Sequence, residues 1–213
     1  MFRWLILAVL LSALTVSGYH RARARLGGET VARRREGSLF LALRGLMALA
    51  LFGGILAHAV RPDWMAWASF DVPQTLRWVG LVLGVLTVPA VHWVLSALGR
   101  NVTETVLTKQ HHELVTGGPY RWVRHPLYTT GLTLLFALGL MAGSWFVLLG
   151  TVIAFALLRL LVIPREEQAL LAKFGERYQA YMLRTGRLVP RVRSDLRGRC
   201  RLTRACSRQA KRH

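Results

Sequence analysis

Apolar residues in this chain fall into long, nearly uninterrupted runs rather than the alternating or three-and-four-residue patterns of soluble elements. Five runs stand out: Trp4 to Gly18, Leu39 to Val60, Trp78 to Leu98, Tyr128 to Ala142 and Trp145 to Ile163. A helix needs roughly 20 apolar residues to cross a bilayer. Four of the runs approach or reach that length, and the fourth in order is short. Only Gly143 and Ser144 separate the fourth run from the fifth, which predicts an antiparallel helical hairpin. Beyond Glu166 the pattern changes. Leu170, Phe174, Tyr178 and Tyr181 recur every three to four residues, the mark of an amphipathic helix laid against a membrane face. The expected fold class is all-α: a polytopic membrane protein of about five transmembrane helices, followed by a C-terminal cytoplasmic amphipathic helix.

Charge supplies the orientation. The chain has 213 residues, 53% of them hydrophobic, yet a net charge of +19. The two facts are compatible because the basic residues lie between the apolar runs. The loop from His20 to Ser38 holds six arginines, and the tail after Ile163 holds fourteen Lys or Arg. The loop from Gly99 to His125 adds Arg100, Lys109, Arg121 and Arg124, whereas Arg61 and Arg77 in the second loop are balanced by Asp63 and Asp71. Basic loops stay in the cytoplasm. The first and third loops and the C-terminus are therefore expected inside, and five spans satisfy the alternation. Reading the first run as a cleaved signal peptide would export the Arg-rich loop and break the charge rule. A pI near 11.7 often marks a nucleic-acid binder, but arginines flanking membrane spans have a simpler cause, so no nucleic-acid partner is expected. Anionic membrane lipids are the expected partners of the basic loops and tail. Cys200 and Cys206 have no His or third Cys spaced as zinc ligands would be, and no metal site is expected. The tail 191–213 is Arg-rich with no period, and is read as disordered or lying on anionic lipid.

Polar chemistry gathers in three places on the cytoplasmic side. One is His111-His112-Glu113-Leu114-Val115-Thr116-Gly117-Gly118-Pro119-Tyr120. A second is Arg121-Trp122-Val123-Arg124-His125-Pro126-Leu127-Tyr128, leading into the fourth run. The third is the acidic pair Glu166-Glu167 beyond the fifth. Gly117-Gly118-Pro119 is a turn sequence. Pro126 suits the first turn of a helix, whose free N–H groups could meet a ligand carboxylate. The hairpin brings the cytoplasmic ends of the fourth and fifth runs together, placing His125 and Tyr128 near Glu166 and Glu167. Taken singly, these features are a cap, a macrodipole pair and interfacial anchors; their convergence on one patch is what suggests a site.

The run HELVTGGPYRWVRHPLYTTG, a hydrophobic hairpin, and then EEQALLAKFGERYQAYMLRTGRLVP together resemble the isoprenylcysteine carboxyl methyltransferase family and related membrane phospholipid methyltransferases. The resemblance covers roughly Leu98 to Pro190 and implies S-adenosyl-L-methionine as cofactor. It implies cofactor contacts at His112, Glu113, Leu114, Val115, Tyr120, His125, Pro126, Leu127 and Tyr128, with a catalytic or substrate-handling role for Glu166 and its neighbour Glu167. On this reading residues 1–98 are three N-terminal spans, 99–190 the methyltransferase core and 191–213 the tail. The acceptor would be lipophilic or small. One departure stands out: where prenylcysteine methyltransferases carry an Arg four residues before the first Glu, this chain has Val162. A phospholipid, amine or thiol acceptor is the alternative, as is a non-catalytic membrane protein retaining the fold. The short chain suits a bacterial inner membrane. Oligomeric state is not legible in the sequence.

Overall fold

The computed structural model describes residues 1–25, 38–99 and 114–191. His112, Glu113 and the tail beyond Arg191 lie outside the described residues, as do both cysteines. Among the described residues there are seven α-helices, in order α1 Phe2–Arg25, α2 Ser38–Val60, α3 Gln74–Leu98, α4 Pro126–Ala142, α5 Trp145–Leu157, α6 Ile163–Phe174 and α7 Glu176–Arg184. Among the described residues there are no strands, only isolated bridges at Ser69–Ser144 and Val123–Gly186.

Each predicted apolar run is helical. Among the described residues three helices are long and apolar enough to cross a membrane: Phe2–Ala24, Gln74–Leu98 and the continuous stretch Trp145–Phe174. Gly45–Val60 and Pro126–Ala142 are shorter apolar helices. Large apolar side chains face outward on several of them, including Leu46 and Leu49 on α2, Val82 and Leu86 on α3, and Val152 and Leu160 along α5 and its extension. In water such a surface would be costly. Against lipid tails it is the expected covering, and helices satisfy every backbone group internally. The chain is an integral membrane protein.

Inside the bundle, Ile6, Val9 and Leu10 of α1, Ile55 and Ala59 of α2, Leu134, Leu138 and Met141 of α4, and Val147 of α5 form one buried cluster. Helix α3 packs mainly on α4 and α1. Gly80 makes the close approach possible, since a Cβ there would lie 2.9 Å from the Ala137 carbonyl oxygen. Small residues let membrane helices draw this near and gain dispersion contact.

The α4–α5 hairpin forms as expected. Helix α4 ends at Gly143, whose left-handed backbone (φ 62°, ψ 41°) reverses the chain into Ser144 and α5. The C-terminal part differs from expectation. In place of one amphipathic helix there are two, broken at Gly175 with φ 53°, a conformation that favours glycine. Between α5 and α6 the helix widens into a π-turn over Leu158–Val162. Pro164, in the first turn of α6, has no N–H to give to the preceding turn. A π-turn is one way a helix absorbs such a loss, and it rotates the face that follows.

Candidate active site

The start of α4 and the first turns of α6 meet at one end of the bundle. His125 is the residue before α4. Its backbone (φ −124°, ψ 59°) is non-helical, as expected of a residue preceding proline. Its carbonyl accepts the N–H groups of Tyr128 and Thr129, so helical bonding begins there. Pro126 is buried, and Leu127 packs beside Ala24, Val91 and Leu95. These two serve the core, whereas His125 and Tyr128 turn toward the acidic pair.

The Tyr128 hydroxyl donates to Glu166 Oε2 at 3.0 Å. The His125 ring stacks on Tyr128 with centroids 5.6 Å apart. Its Nδ1 lies 3.5 Å from Glu166 Oε2 and its Nε2 3.5 Å from Glu167 Oε1. The second approach lacks hydrogen-bond geometry, and Nε2 is buried without a hydrogen-bond partner among the described residues. Burial by itself lowers the imidazole pKa, but the two carboxylates more than offset it and raise the pKa above its ordinary value. His125 thus favours the imidazolium, a cation enclosed between two acids.

Glu167 is held differently. Its side chain is 4% exposed; Arg124 Nε donates to Oε1 at 2.8 Å and Arg187 Nη2 lies 2.8 Å from Oε2. Arg124 also donates to the carbonyls of Met182 and Thr185. Both oxygens of Glu167 are therefore committed to guanidinium groups, while the Glu166 side chain remains 27% exposed.

The segment after α7 closes this arrangement. Arg124 N donates to Gly186 O and His125 N to Arg187 O, at 2.8 and 3.0 Å. Thr129 Oγ1 donates to Leu188 O at 2.8 Å. Gly186 sits in a turn so tight that a Cβ would collide with the Val189 carbonyl.

Gly117-Gly118-Pro119 forms the predicted turn, with φ 57° at Gly118 and a 3-10 turn over Gly118–Arg121. Tyr120 is buried there, and its carbonyl accepts the Tyr181 hydroxyl at 2.6 Å. Burial pushes the Tyr181 phenol up to about 12, and burial together with Glu166 raises Tyr120, so both remain protonated donors at neutral pH. Leu114 and Val115 are half-buried. Leu114, Thr116 and Arg121 face Arg177, Tyr181 and Arg184 of α7 across a cavity of about 470 Å³, within the ~300–1,000 Å³ range of small-molecule sites. His125 and Tyr128 do not line that cavity.

Of the expected site residues, the structure brings His125, Tyr128, Glu166 and Glu167 together, with Tyr120 alongside through Tyr181. Sequence reading missed Arg187 and took Arg124 for a topology signal. The hint lay in the run RTGRLVP, whose glycine and basic residues follow an amphipathic helix that has to end near the site.

The raised pKa of His125 has a consequence for stability. A folded-state value above the unfolded one stabilises the protein fully below the unfolded pKa, about 6.5. That contribution disappears as pH rises through the folded-state value. The difference in thermal midpoint between wild type and the non-titrating His125→Gln variant should therefore shrink as pH is raised through that interval.

Helical hairpin, polar cluster and lipid-facing surface define a helical integral membrane protein with a polar site at one end of its bundle. The eukaryotic intramembrane Ras methyltransferase, an isoprenylcysteine carboxyl methyltransferase, matches with a TM-score of 0.51 and 21% identity, over 70% of this chain and 52% of that one; the likeness is one of fold. A family model described as phospholipid methyltransferase matches residues 75–177, which include Tyr120, His125, Tyr128 and the acidic pair. The family model bears out the resemblance drawn from the motifs, and the solved structure bears out the fold. Among curated proteins, the cobalt-zinc-cadmium resistance protein CzcN of Cupriavidus metallidurans is 35% identical over 124 residues, covering 54% of this chain and 55% of the relative. The nickel-cobalt-cadmium resistance protein NccN of Alcaligenes xylosoxydans xylosoxydans is 33% identical, covering 54% and 53%. The uncharacterized protein YpbQ of Bacillus subtilis is 25% identical, covering 59% and 70%. The chain spans about half the length of the two resistance proteins.

Proposed function

We propose that this chain is a membrane-embedded methyltransferase that uses S-adenosylmethionine to methylate a lipophilic acceptor. The supporting observation is the hydrogen bond from Tyr128 to Glu166, beside the imidazole of His125. It joins two stretches 38 residues apart at one end of the bundle.

The residues present fit the cofactor. The cavity between the 114–121 segment and α7 has the volume for a small molecule, with Arg121, Arg177 and Arg184 able to meet a carboxylate and the Tyr181 ring able to face a sulfonium; His125 and Tyr128 stand beside it rather than in its lining. We assign Leu114, Val115, Tyr120, His125 and Tyr128 to hold it, together with His112 and Glu113. Pro126 and Leu127 fix the helix start from which His125 and Tyr128 project. When bound, the cofactor would supply an electrophilic methyl group open to in-line displacement by the acceptor. The protein's contribution is alignment and exclusion of water. Glu166, the more exposed acid, orients the acceptor and takes its proton when the nucleophile is a neutral amine, alcohol or thiol. Glu167 anchors Arg124, His125 and Arg187 and acts as a positioning residue.

We read five spans, α1 to α5, with the site, the first and third loops and the tail on the cytoplasmic side and the basic segments against anionic lipid. Residues 1–98 then carry three spans, 99–190 the catalytic core and 191–213 the tail. The bacterial relatives support an inner-membrane location. Val162 is buried within the π-turn, where the resembled family has an arginine, so a phospholipid amine or a thiol is favoured over a prenylcysteine carboxylate.

Binding and turnover test this reading. Purified protein should bind S-adenosylhomocysteine in the micromolar range, on the order of typical enzyme values. It should also transfer a labelled methyl group into a total lipid extract. His125→Ala and Tyr128→Phe should each weaken binding about tenfold or more. Wild-type affinity in both variants would remove these residues from the site.

A further inference from the structure

The end of the bundle opposite the methyl-transfer site holds a second cavity, of about 480 Å³. It opens among the first residues of α1, the end of α2, Pro62, the 69–71 segment, the start of α3 and the end of α4. Helix α4, 17 residues long, separates the two ends by about 25 Å, so this pocket is no part of the methyl-transfer site. Nor does the inference drawn from it rest on that reading.

Its chemistry is that of an anion site. Arg3, Arg77 and His58 line it, against a single acid, Asp71. Two arginines less one aspartate leave an excess of one positive charge. Arg77 Nε and His58 Nδ1 are buried and have no hydrogen-bond partner among the described residues. Buried N–H groups rarely go unsatisfied, because each costs the hydration it gave up. Arg77 and His58 both line this cavity, and a guanidinium and an imidazole converging there suit an acceptor-rich oxyanion.

The guanidinium is also held in place. It lies 5.9 Å from the Phe2 ring centroid. Arg77 Nη2 stands 3.1 Å from where a Cβ on Gly143 would be, and the Phe70 carbonyl is 2.9 Å from the same point. Gly143 therefore leaves the space into which Arg77 packs, and holding the side chain there lowers the entropy lost on binding.

Location narrows the source of the anion. Trp4, Trp64, Trp67, Trp78 and Trp145 all lie at this end of the bundle and are all more than 40% exposed. Exposed tryptophans collect at the depth of lipid headgroups, so the pocket sits where phosphodiester groups are abundant.

We propose that Arg77 and His58, with Arg3 at the rim, form a binding site for a phosphate-class anion at the end of the bundle remote from the methyl-transfer site. A phospholipid headgroup and free phosphate share this chemistry.

The test uses the full chain in detergent, titrated separately with inorganic phosphate and with dihexanoyl-phosphatidylglycerol while the thermal midpoint is followed. At least one probe should stabilise wild type saturably. Arg77→Gln should weaken that effect about tenfold or more, and Arg121→Gln, at the other end, should leave it unchanged. Tighter binding of the lipid assigns the headgroup as the source; equal or tighter binding of phosphate assigns the free anion. If Arg77→Gln does not fold, as judged by elution profile and helical circular dichroism, His58→Gln replaces it with the same expected loss. The proposal is overturned if neither probe saturates with wild type, or if the folded variant binds as wild type does.

Discussion

Glu166→Gln should lower kcat by about 10²–10⁴-fold, the usual contribution of a positioned general base, while binding of S-adenosylhomocysteine changes little. Glutamine keeps the shape and an oxygen that can accept the Tyr128 hydroxyl, now 3.0 Å from the carboxylate. What it removes is the negative charge and the ability to take a proton. Of the two acids, Glu166 alone keeps appreciable exposure, at 27% of its side chain, and so can reach an acceptor. Single-turnover kinetics with saturating cofactor separates chemistry from binding. An unchanged rate would mean that the acceptor arrives already ionised, or that Glu166 is not its base.

Glu167→Ala should be the most destabilising substitution in this region, by roughly 3–5 kcal/mol, the cost of stranding buried charges by removing their partner. Arg124 and His125, with side chains 8% and 4% exposed, would lose the carboxylate that faces them, and Arg187 would lose its 2.8 Å contact. The measurement is thermal or denaturant unfolding in detergent. A double variant with Arg124→Met should be less destabilised than the two single losses summed, because the residues act as one network. If Glu167→Ala unfolds like wild type, the clasp between the 185–188 segment and α4 does not depend on this acid.

These two outcomes set adjacent glutamates apart, a distinction the sequence does not make legible. Two carboxylates in a row invite one shared role. Consecutive residues on a helix point about 100° apart, and the π-turn at Leu158–Val162 together with Pro164 sets which azimuth of α6 is turned inward. A 3.6-residue periodicity carried through Arg159 to Glu167 misses that rotation. The break at Gly175 was likewise hidden, because Leu170, Phe174, Tyr178 and Tyr181 keep an apolar spacing across it.

Other features could be read in advance because they depend on local chemistry. Apolar runs separated by arginines located the helices. Gly143-Ser144 leaves no length for anything but a reversal, and the reversal brings His125 and Tyr128 to Glu166. The Gly117-Gly118-Pro119 turn follows from residue type alone. The contacts of Arg124 and Arg187 with Glu167 were out of reach. They depend on the Val123–Gly186 bridge, a pairing of one residue each that leaves no pattern in either segment.

The central claim is that the start of α4 and the acidic pair of α6 wall one methyl-donor site. The most direct measurement is an experimental structure of the full chain with S-adenosylhomocysteine bound. The account predicts the sulfur beside Tyr128 and Glu166, with the nucleoside toward the 114–121 segment and α7. Ligand bound at the far end of the bundle, or on a face that neither His125 nor Glu166 reaches, would contradict it.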